Sequence, residues 1–207
     1  MKNKTPDFAY HMTKFFTEYL PIQRNLSPNS IATYRDTFRL LLLFYDTEKH
    51  IKPNLLTLDM LNVQQIEDFM LWLKKERNCG ASTCNQRLGA LKSFFRYLQF
   101  ALPDCALQCQ ENLAIRPMKQ PEPGLKYLTI DGIKLLLEQP DIKTKYGRRD
   151  LAILSLMYDT GARVQEIADI KIVHIRFSAP ATIRITGKGD KTRVVPLLSR
   201  TEDILIY

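Results

Sequence analysis

Long apolar runs are missing from this sequence. A membrane span requires about 18 to 20 consecutive apolar residues, and the run LLLLFY at Leu40 to Tyr45 is long enough only for the core of a buried helix. The first residues, MKNKTPDFAYHMTKFF, contain neither a continuous apolar segment nor a small-residue cleavage site, so they do not resemble a secretory signal. We therefore expect a globular protein of the cytoplasm that has no contact with membranes.

Residues that hold metals and nucleotides are also scarce. The chain has three histidines and four cysteines. The spacings from Cys79 to Cys84 and from Cys105 to Cys109 differ from the C-x2-C pattern of common zinc sites. The loop G-x-x-x-x-G-K-[ST], which binds phosphates in nucleotide hydrolases, is absent. The sequence thus favours reduced thiols, no metal site and no cofactor.

Positive charge is in excess. The chain of 207 residues has 30 Lys and Arg against 22 Asp and Glu, which gives a formal net charge of +8. Its hydrophobic content of 45% is enough for one large core or two small ones. A globular protein with this charge favours a polyanionic partner such as nucleic acid.

Helical periodicity organises the first part of the chain. Residues 6–20 repeat apolar side chains at helical spacing. Three further helices are predicted from their N-caps, which are Ser27 followed by Pro28, then Asn62, then Ser82 or Thr83. A short fifth helix is predicted over residues 104–113. This pattern predicts a mostly α N-terminal helical bundle over residues 1–116.

A proline-rich segment follows the predicted bundle. RPMKQPEPGLK, residues 116–126, holds three prolines and a glycine, which together exclude the interior of a helix or strand. We predict a linker at residues 117–126 that separates a domain at residues 1–116 from a second domain at residues 127–207.

The second domain mixes helices and strands. Thr129 caps one predicted helix, an apolar helix over residues 146–160 stops at Gly161, and another helix runs over residues 163–170. ATIRIT at 181–186 and KTRVVPL at 191–197 alternate like the strands of a hairpin around the turn GKGD. The pattern predicts an α+β domain with a β-hairpin, and another helix begins near residue 207.

Arg163 and Glu166 are the first residues whose positions indicate a chemical role. Gly161 suits the left-handed residue that ends a helix, so Arg163 lies at the start of the next helix, where backbone N–H groups favour an anion. Its planar guanidinium can donate two hydrogen bonds to one phosphate. Glu166 follows three residues later, on the same helix face. The alternative is an ordinary surface ion pair.

Lys188 adds a second candidate group. It stands between Gly187 and Gly189 at the tip of the predicted hairpin, where the absence of Cβ atoms lets its backbone approach another backbone closely. A lysine ammonium so placed can give a proton to a leaving alkoxide. Together with Arg163, this lysine indicates phosphodiester chemistry.

Two motifs resemble those of the tyrosine recombinase (phage integrase) family. TGARVQEIADI, residues 160–170, is similar to the family box T-G-x-R-x-x-E-[LI], and ITGKGDKTRVVPL, residues 185–197, is similar to its hairpin G-K-G-x-K-x-R-x-[VL]-P-L. LSPNSIATYRDTFRLLLLFY and STCNQRLGALKSFFRYL resemble helices of the family's SAM-like, core-binding N-terminal domain. The resemblance covers nearly the whole chain.

The resemblance implies a clamp that grips duplex DNA and recombines it at specific sites, with copies assembled into a synaptic tetramer. Arg163 would bind the scissile phosphate and stabilise its transition state. Glu166 would orient this site, and Lys188 would protonate the departing 5′ oxygen. No cofactor or metal is implied.

The family also uses a His-x-x-Arg pair, a later His or Trp, and a nucleophilic tyrosine. No His-x-x-Arg follows Lys188, and Tyr207 is the only tyrosine after it and comes too early in the family order. We therefore expect a partial catalytic domain that is inactive alone and leaves apolar surface uncovered, which favours self-association. A naturally short, non-catalytic DNA-binding regulator of a recombinase is the alternative.

Polar and basic side chains on the predicted helices and hairpin suit contacts to the sugar–phosphate backbone of DNA. Those chosen as DNA-binding candidates are Ser30, Thr33, Tyr34, Arg35, Ser82, Thr83, Asn85, Arg87, Lys92, Lys191 and Arg193. Arg148 and Arg149 are further phosphate candidates. For each helical residue, a solvated helix face is the alternative, because a single sequence does not fix which way the residue faces.

Overall fold

The computed structural model describes residues 7–120, 124, 127–187 and 189–206. The chain divides into two compact units, Met1–Pro123 and Gly124–Tyr207. Within those described ranges, no helix has the length and apolar character needed to cross a membrane.

Helices build the first unit. They are α1 (Phe8–Lys14), α2 (Pro28–Glu48), α3 (Val63–Lys75), α4 (Ala81–Ala101) and α5 (Ala106–Ala114), with 3-10 turns at Pro53–Leu55, Leu58–Met60 and Pro103–Cys105. Two predicted N-caps are confirmed, since Ser27 accepts the N–H of Ser30 and Asn62 accepts the N–H of Gln65. The predicted helical bundle is confirmed.

The prediction of one regular helix over residues 6–20 is wrong in its second half. After α1 the chain continues as a π-helix, Phe15–Gln23, which contains Pro21. The N–H of Arg24 donates to the carbonyl of Tyr19 at 2.9 Å, five residues back. In an α-helix, proline lacks the required N–H and its ring collides with the carbonyl four residues earlier. A wider π turn accommodates the proline, so the helix continues past it.

The predicted cap of the fourth helix is also wrong. Helix α4 begins at Ala81, and its N-cap is Gly80, which has an extended backbone and makes no side-chain bond. Glycine is an accepted N-cap residue because it adopts the required conformation without strain. Ser82 and Thr83 therefore lie within the first turn of α4, two and three positions after the N-cap.

Aromatic side chains form the centre of the first unit. Phe15 is fully buried. Its ring stacks on Tyr19 with centroids 5.6 Å apart and meets Phe94 of α4 edge-on at 5.1 Å. It also stacks on Tyr34 of α2. Because each well-oriented aromatic pair adds about 0.5–1.5 kcal/mol beyond burial, this cluster fixes the first helical segment against α2 and α4.

The second unit is α+β, as predicted. It contains α6 (Ile130–Glu138), α7 (Lys145–Thr160), α8 (Val164–Ala168), a 3-10 turn at Ile172–His174, β1 (Ile175–Arg176), β2 (Thr182–Thr186), β3 (Thr192–Pro196) and α9 (Ser199–Ile206). The strands form an antiparallel sheet in the order β1-β2-β3. The pair β2–β3 is the predicted hairpin, and β1 is a short third strand that the sequence pattern did not predict.

Helix α7 ends where the sequence predicted. Gly161 has φ 59° and ψ 24°, the left-handed conformation, and its N–H donates to the carbonyl of Met157 at 3.0 Å. This turn buries Ala162 in the core and makes Arg163 the N-cap of α8. The predicted cap of α6 is confirmed as well, because Thr129 Oγ1 accepts the N–H of Gly132 at 3.1 Å.

The core of the second unit is small. Its buried apolar residues are Leu156, Ala162, Ile167, Ile183 and Ile185. Helix α6 buries none of its residues. Large apolar side chains such as Ile130, Leu135 and Leu198 are exposed, in agreement with the expectation of uncovered apolar surface.

Replacing the central aromatic residue tests this account of the first unit. Phe15→Ala removes a fully buried ring and should lower the free energy of unfolding by about 3–5 kcal/mol. Phe100→Ala is the matched control, because Phe100 is 85% exposed at the end of α4 and its loss should change stability by less than about 0.5 kcal/mol. Urea unfolding followed by far-UV circular dichroism measures both. Similar losses for the two variants would contradict the assigned core.

Candidate functional site

A buried carboxylate is the centre of the candidate site. Glu166 lies in α8 with its side chain 5% exposed. Its Oε1 accepts a hydrogen bond from Arg163 Nη1 at 2.9 Å, and its Oε2 accepts from Arg193 Nη2 at 2.7 Å. Oε2 also accepts the backbone N–H of Arg163 at 3.1 Å. One carboxylate therefore joins the start of α8 to strand β3.

The charge of Glu166 is strongly favoured in this position. Its pKa is lowered to about 2, first by the hydrogen bond from Arg193 and then by the backbone and side-chain bonds from Arg163. These bonds outweigh the effect of burial, which acts in the opposite direction. Glu166 is therefore ionised at neutral pH and balances one of the two arginine charges.

Local capping explains how α8 holds Arg163. Arg163 is the N-cap of α8, and Glu166 is the third residue of that helix. A glutamate at this position that binds the N-cap N–H is half of a capping box. The same carboxylate also binds the guanidinium, so backbone and side chain of Arg163 are fixed together. The side chain of Arg163 remains 75% exposed, which leaves it open to a ligand.

Gly187 allows the hairpin to approach this carboxylate. A Cβ built on Gly187 would lie 2.6 Å from Glu166 Oε1, a distance that no side chain could accommodate without movement of the carboxylate. The N–H of Gly187 donates to the carbonyl of Lys191 at 2.8 Å, which closes the turn. Lys188 lies outside the described residues, and so does Tyr207.

Arg193 has a contact that its sequence assignment missed. The sequence pattern marked it as a DNA-binding candidate, and the structure places it against Glu166, 27 residues earlier. The register of β2 and β3 could have predicted this contact. Arg193 pairs with Ile185, which is buried, and cross-strand partners project to the same face of a sheet. The side chain of Arg193 therefore projects inward, where a buried partner is needed.

The other basic candidates of the second unit make no bond to Glu166 in the part of the chain that the structure describes. Lys191 is exposed. Arg148 donates to the carbonyl of Ile142 at 3.1 Å. Arg149 is paired with Asp150 at 2.7 Å.

Helix α2 carries the first group of DNA-binding candidates. Arg35 is exposed, whereas Ser30, Thr33 and Tyr34 are half-buried. The hydroxyl of Thr33 donates to a carbonyl one turn earlier at 3.0 Å. The ring of Tyr34 stacks on Phe15, so only its edge and hydroxyl are available to a partner.

Helix α4 carries the second group, and its members differ in their contacts. Ser82 is exposed and Thr83 is half-buried in the first turn. Arg87 is half-buried. Asn85 and Lys92 instead bind the backbone of the segment that follows α5.

Metal ligands are not grouped anywhere in the part of the chain that the structure describes, since no cluster of three or more His, Cys, Asp or Glu side chains occurs there.

Comparison with known proteins connects this geometry to a family. The family profile described as "Phage integrase, N-terminal SAM-like domain" matches residues 14–100, and the profile "Phage integrase family" matches residues 126–206. The chain belongs to the phage integrase family of tyrosine recombinases. The second match contains the whole Arg163, Glu166 and Arg193 cluster.

Individual members of this family are similar to the chain over most of its length. The integrase/recombinase y4rC of Sinorhizobium fredii is 35% identical over 202 residues, 98% of this chain and 61% of the relative. Tyrosine recombinase XerD of Listeria innocua is 32% identical over 184 residues, 88% of this chain and 58% of the relative. The chain thus spans about three fifths of the length of these relatives.

A solved structure shares the fold. The integrase of transposon Tn1549, in complex with transposon right end DNA, has a TM-score of 0.66 and 15% sequence identity, over 93% of this chain and 62% of that one. At this level of identity the likeness concerns the fold alone.

The lowered pKa of Glu166 predicts a pH-dependent contribution to stability. The folded carboxyl has a pKa of about 2 against an ordinary value of 4.5, so the unfolded chain binds the proton first as pH falls. The stabilisation is therefore complete above about pH 4.5 and is lost as pH falls through about 2. We expect wild type to exceed Glu166→Gln in urea midpoint at pH 6, and the gap to close towards pH 2. A gap that stays constant over this range would contradict the assigned pairing.

Proposed function

We propose that this chain binds duplex DNA and holds the scissile phosphate of a site-specific recombination reaction with Arg163. The observation that supports this proposal is the exposed side chain of Arg163, whose guanidinium binds the buried carboxylate of Glu166. The other oxygen of that carboxylate binds Arg193. Because the chain spans about three fifths of its relatives, strand cleavage and rejoining are proposed for the protein of which these two units are part.

The chemistry of phosphate supports this role for Arg163. Phosphoryl transfer places negative charge on the non-bridging oxygens, and a rigid guanidinium can donate two parallel hydrogen bonds to them. A donor that is already fixed stabilises the transition state without the cost of reorganisation. Glu166 neutralises only one of two arginines, so the cluster keeps a net positive charge that attracts the phosphate.

Lys188 is proposed as the group that protonates the departing 5′ oxygen. The support comes from sequence and from its neighbours, since Gly187 lies against Glu166 and Gly189 has a φ of 76°. Gly187, the residue before Lys188, therefore lies at the candidate site. Glu166 is proposed as a positioning residue, because it acts on the phosphate only through Arg163.

The first unit is proposed to contact the DNA backbone with α2 and α4. Arg35 and Ser82 are exposed and can reach a phosphate directly. Ser30, Thr33, Tyr34, Thr83 and Arg87 are half-buried candidates in the same helices, and Lys191 is an exposed candidate on the hairpin. The complex of the Tn1549 integrase with transposon right end DNA supports a DNA partner for this fold.

Self-association on DNA is proposed as well. Its support is the apolar surface of the second unit, where Ile130, Leu135 and Ile172 are exposed. Large exposed apolar surface commonly marks a protein interface.

Salt-dependent DNA binding tests the phosphate contact. Arg163→Gln should weaken duplex binding about 10- to 100-fold, because hydrogen bonds to charged groups contribute about 1.5–3 kcal/mol. It should also lower the slope of log K against log salt by about 0.9, the value for one phosphate. Lys134→Gln is the matched control, since it removes the same charge from an exposed side chain of the same unit. Fluorescence anisotropy with a labelled duplex over a salt series measures both effects.

A second variant separates charge from geometry. Arg163→Lys keeps the charge but loses the planar fork, so it should retain the wild-type salt slope while binding more weakly. If Arg163→Gln and Lys134→Gln give the same slope, Arg163 does not contact a phosphate. If wild type has no affinity for any duplex at low salt, the DNA-binding proposal is wrong.

A further inference from the structure

Two polar side chains of α4 bind the protein's own backbone. Asn85 donates from Nδ2 to the carbonyl of Met118 at 2.9 Å, and its Oδ1 accepts the N–H of Met118 at 2.8 Å. Lys92 donates from Nζ to the carbonyl of Ile115 at 2.6 Å. Both partners belong to residues 115–118, which follow α5 and have no regular secondary structure.

The spacing of the two side chains matches the segment that they hold. Asn85 and Lys92 are seven residues apart, which is two turns and about 10.5 Å along one face of a helix. Residues 115 and 118 are three apart, and three residues of an extended polyproline-type chain advance about 9 Å and return to the same side. The intervening residues, Arg116 and Pro117, are exposed. The segment therefore runs antiparallel to α4 and faces it at both bonded positions.

Apolar packing alone does not hold this segment. Ile115 and Met118 are half-buried against the core of the first unit. A cavity of about 250 Å³ remains between the segment, α3 and α4, lined by Met70, Leu88, Ile115 and Met118 among others. The three hydrogen bonds therefore add to the apolar contacts of Ile115 and Met118 in fixing the chain at this place.

Lys92 is partly withdrawn from solvent in this arrangement. Burial lowers its pKa, and the charge of Arg96 acts in the same direction. One N–H of its ammonium donates to the carbonyl of Ile115, which lies close to α4.

We propose that Asn85 and Lys92 form a latch that holds residues 115–118 on α4, and that this latch, rather than a DNA contact, is their role. The latch anchors both ends of this segment to the first unit, through Ile115 and Met118. Because Asn85 and Lys92 are occupied by the segment, DNA contacts of α4 are left to exposed residues such as Ser82, an inference that rests on the proposed function.

Amide exchange of the full chain tests the latch directly and without DNA. Asn85→Ala should speed hydrogen exchange at the Met118 N–H by about tenfold, because that donor loses the Asn85 Oδ1 acceptor while the helices stay folded. Gln86→Ala is the matched control, since Gln86 is exposed on the next position of α4, and should leave this amide unchanged. Unchanged exchange in Asn85→Ala would overturn the latch.

Salt titration of DNA binding separates the latch from a phosphate contact. Lys92→Met removes the charge and the donor. If Lys92 belongs to the latch, the slope of log K against log salt stays at the wild-type value. A fall of about 0.9, as for one lost phosphate contact, would overturn the assignment.

The double variant Asn85→Ala with Lys92→Met removes all three hydrogen bonds of the latch. Its salt slope should also stay at the wild-type value, because neither side chain contacts a phosphate, and a lower slope would overturn this role. Absence of DNA binding by wild type would instead contradict the proposed function, while the amide exchange result would stand.

Discussion

The second unit depends on the ionised carboxylate of Glu166. A buried charge is costly unless it is paired and hydrogen-bonded, and Glu166 meets this need with Arg163 from its own helix and Arg193 from strand β3. The hairpin must therefore lie against α8, and Gly187 is required where the two meet. The same constraint that satisfies the carboxylate presents Arg163 to solvent, so the candidate site is a direct consequence of how this unit folds.

Local signals in the sequence predicted most of the fold. Ser27, Asn62 and Thr129 cap their helices, and Gly161 ends α7 in the left-handed conformation, because each acts through backbone groups within a few residues. The hairpin was predictable for the same reason, since alternation and a glycine-rich turn are local. Where local signals compete, prediction failed. The hydroxyls of Ser82 and Thr83 suggested an N-cap, but Gly80 is the N-cap. The helix predicted to end at residue 20 continues past Pro21 as a π-helix.

Contacts between residues far apart in the chain could not be predicted from the sequence. Arg163 and Glu166 are three residues apart, so their contact followed from helix geometry. Arg193 is separated from Glu166 by 27 residues, and its role became evident only once the register of β2 and β3 was known. Asn85 forms hydrogen bonds with a residue 33 positions away. From the sequence of a polar helix face, a side chain that binds DNA looks the same as one that binds the protein's own backbone.

Stability and site geometry are coupled differently in the two units. The first has a dense aromatic centre around Phe15, so exposed polar residues such as Arg35 and Ser82 can be changed with little effect on the fold. The second has a small apolar core, so the ion pairs of Glu166 with Arg163 and Arg193 contribute a larger share of its stability. Glu166 therefore contributes both to the folding of this unit and to the proposed phosphate site. Arg163→Lys is informative for that reason, because it alters the fork while keeping a charge for the carboxylate.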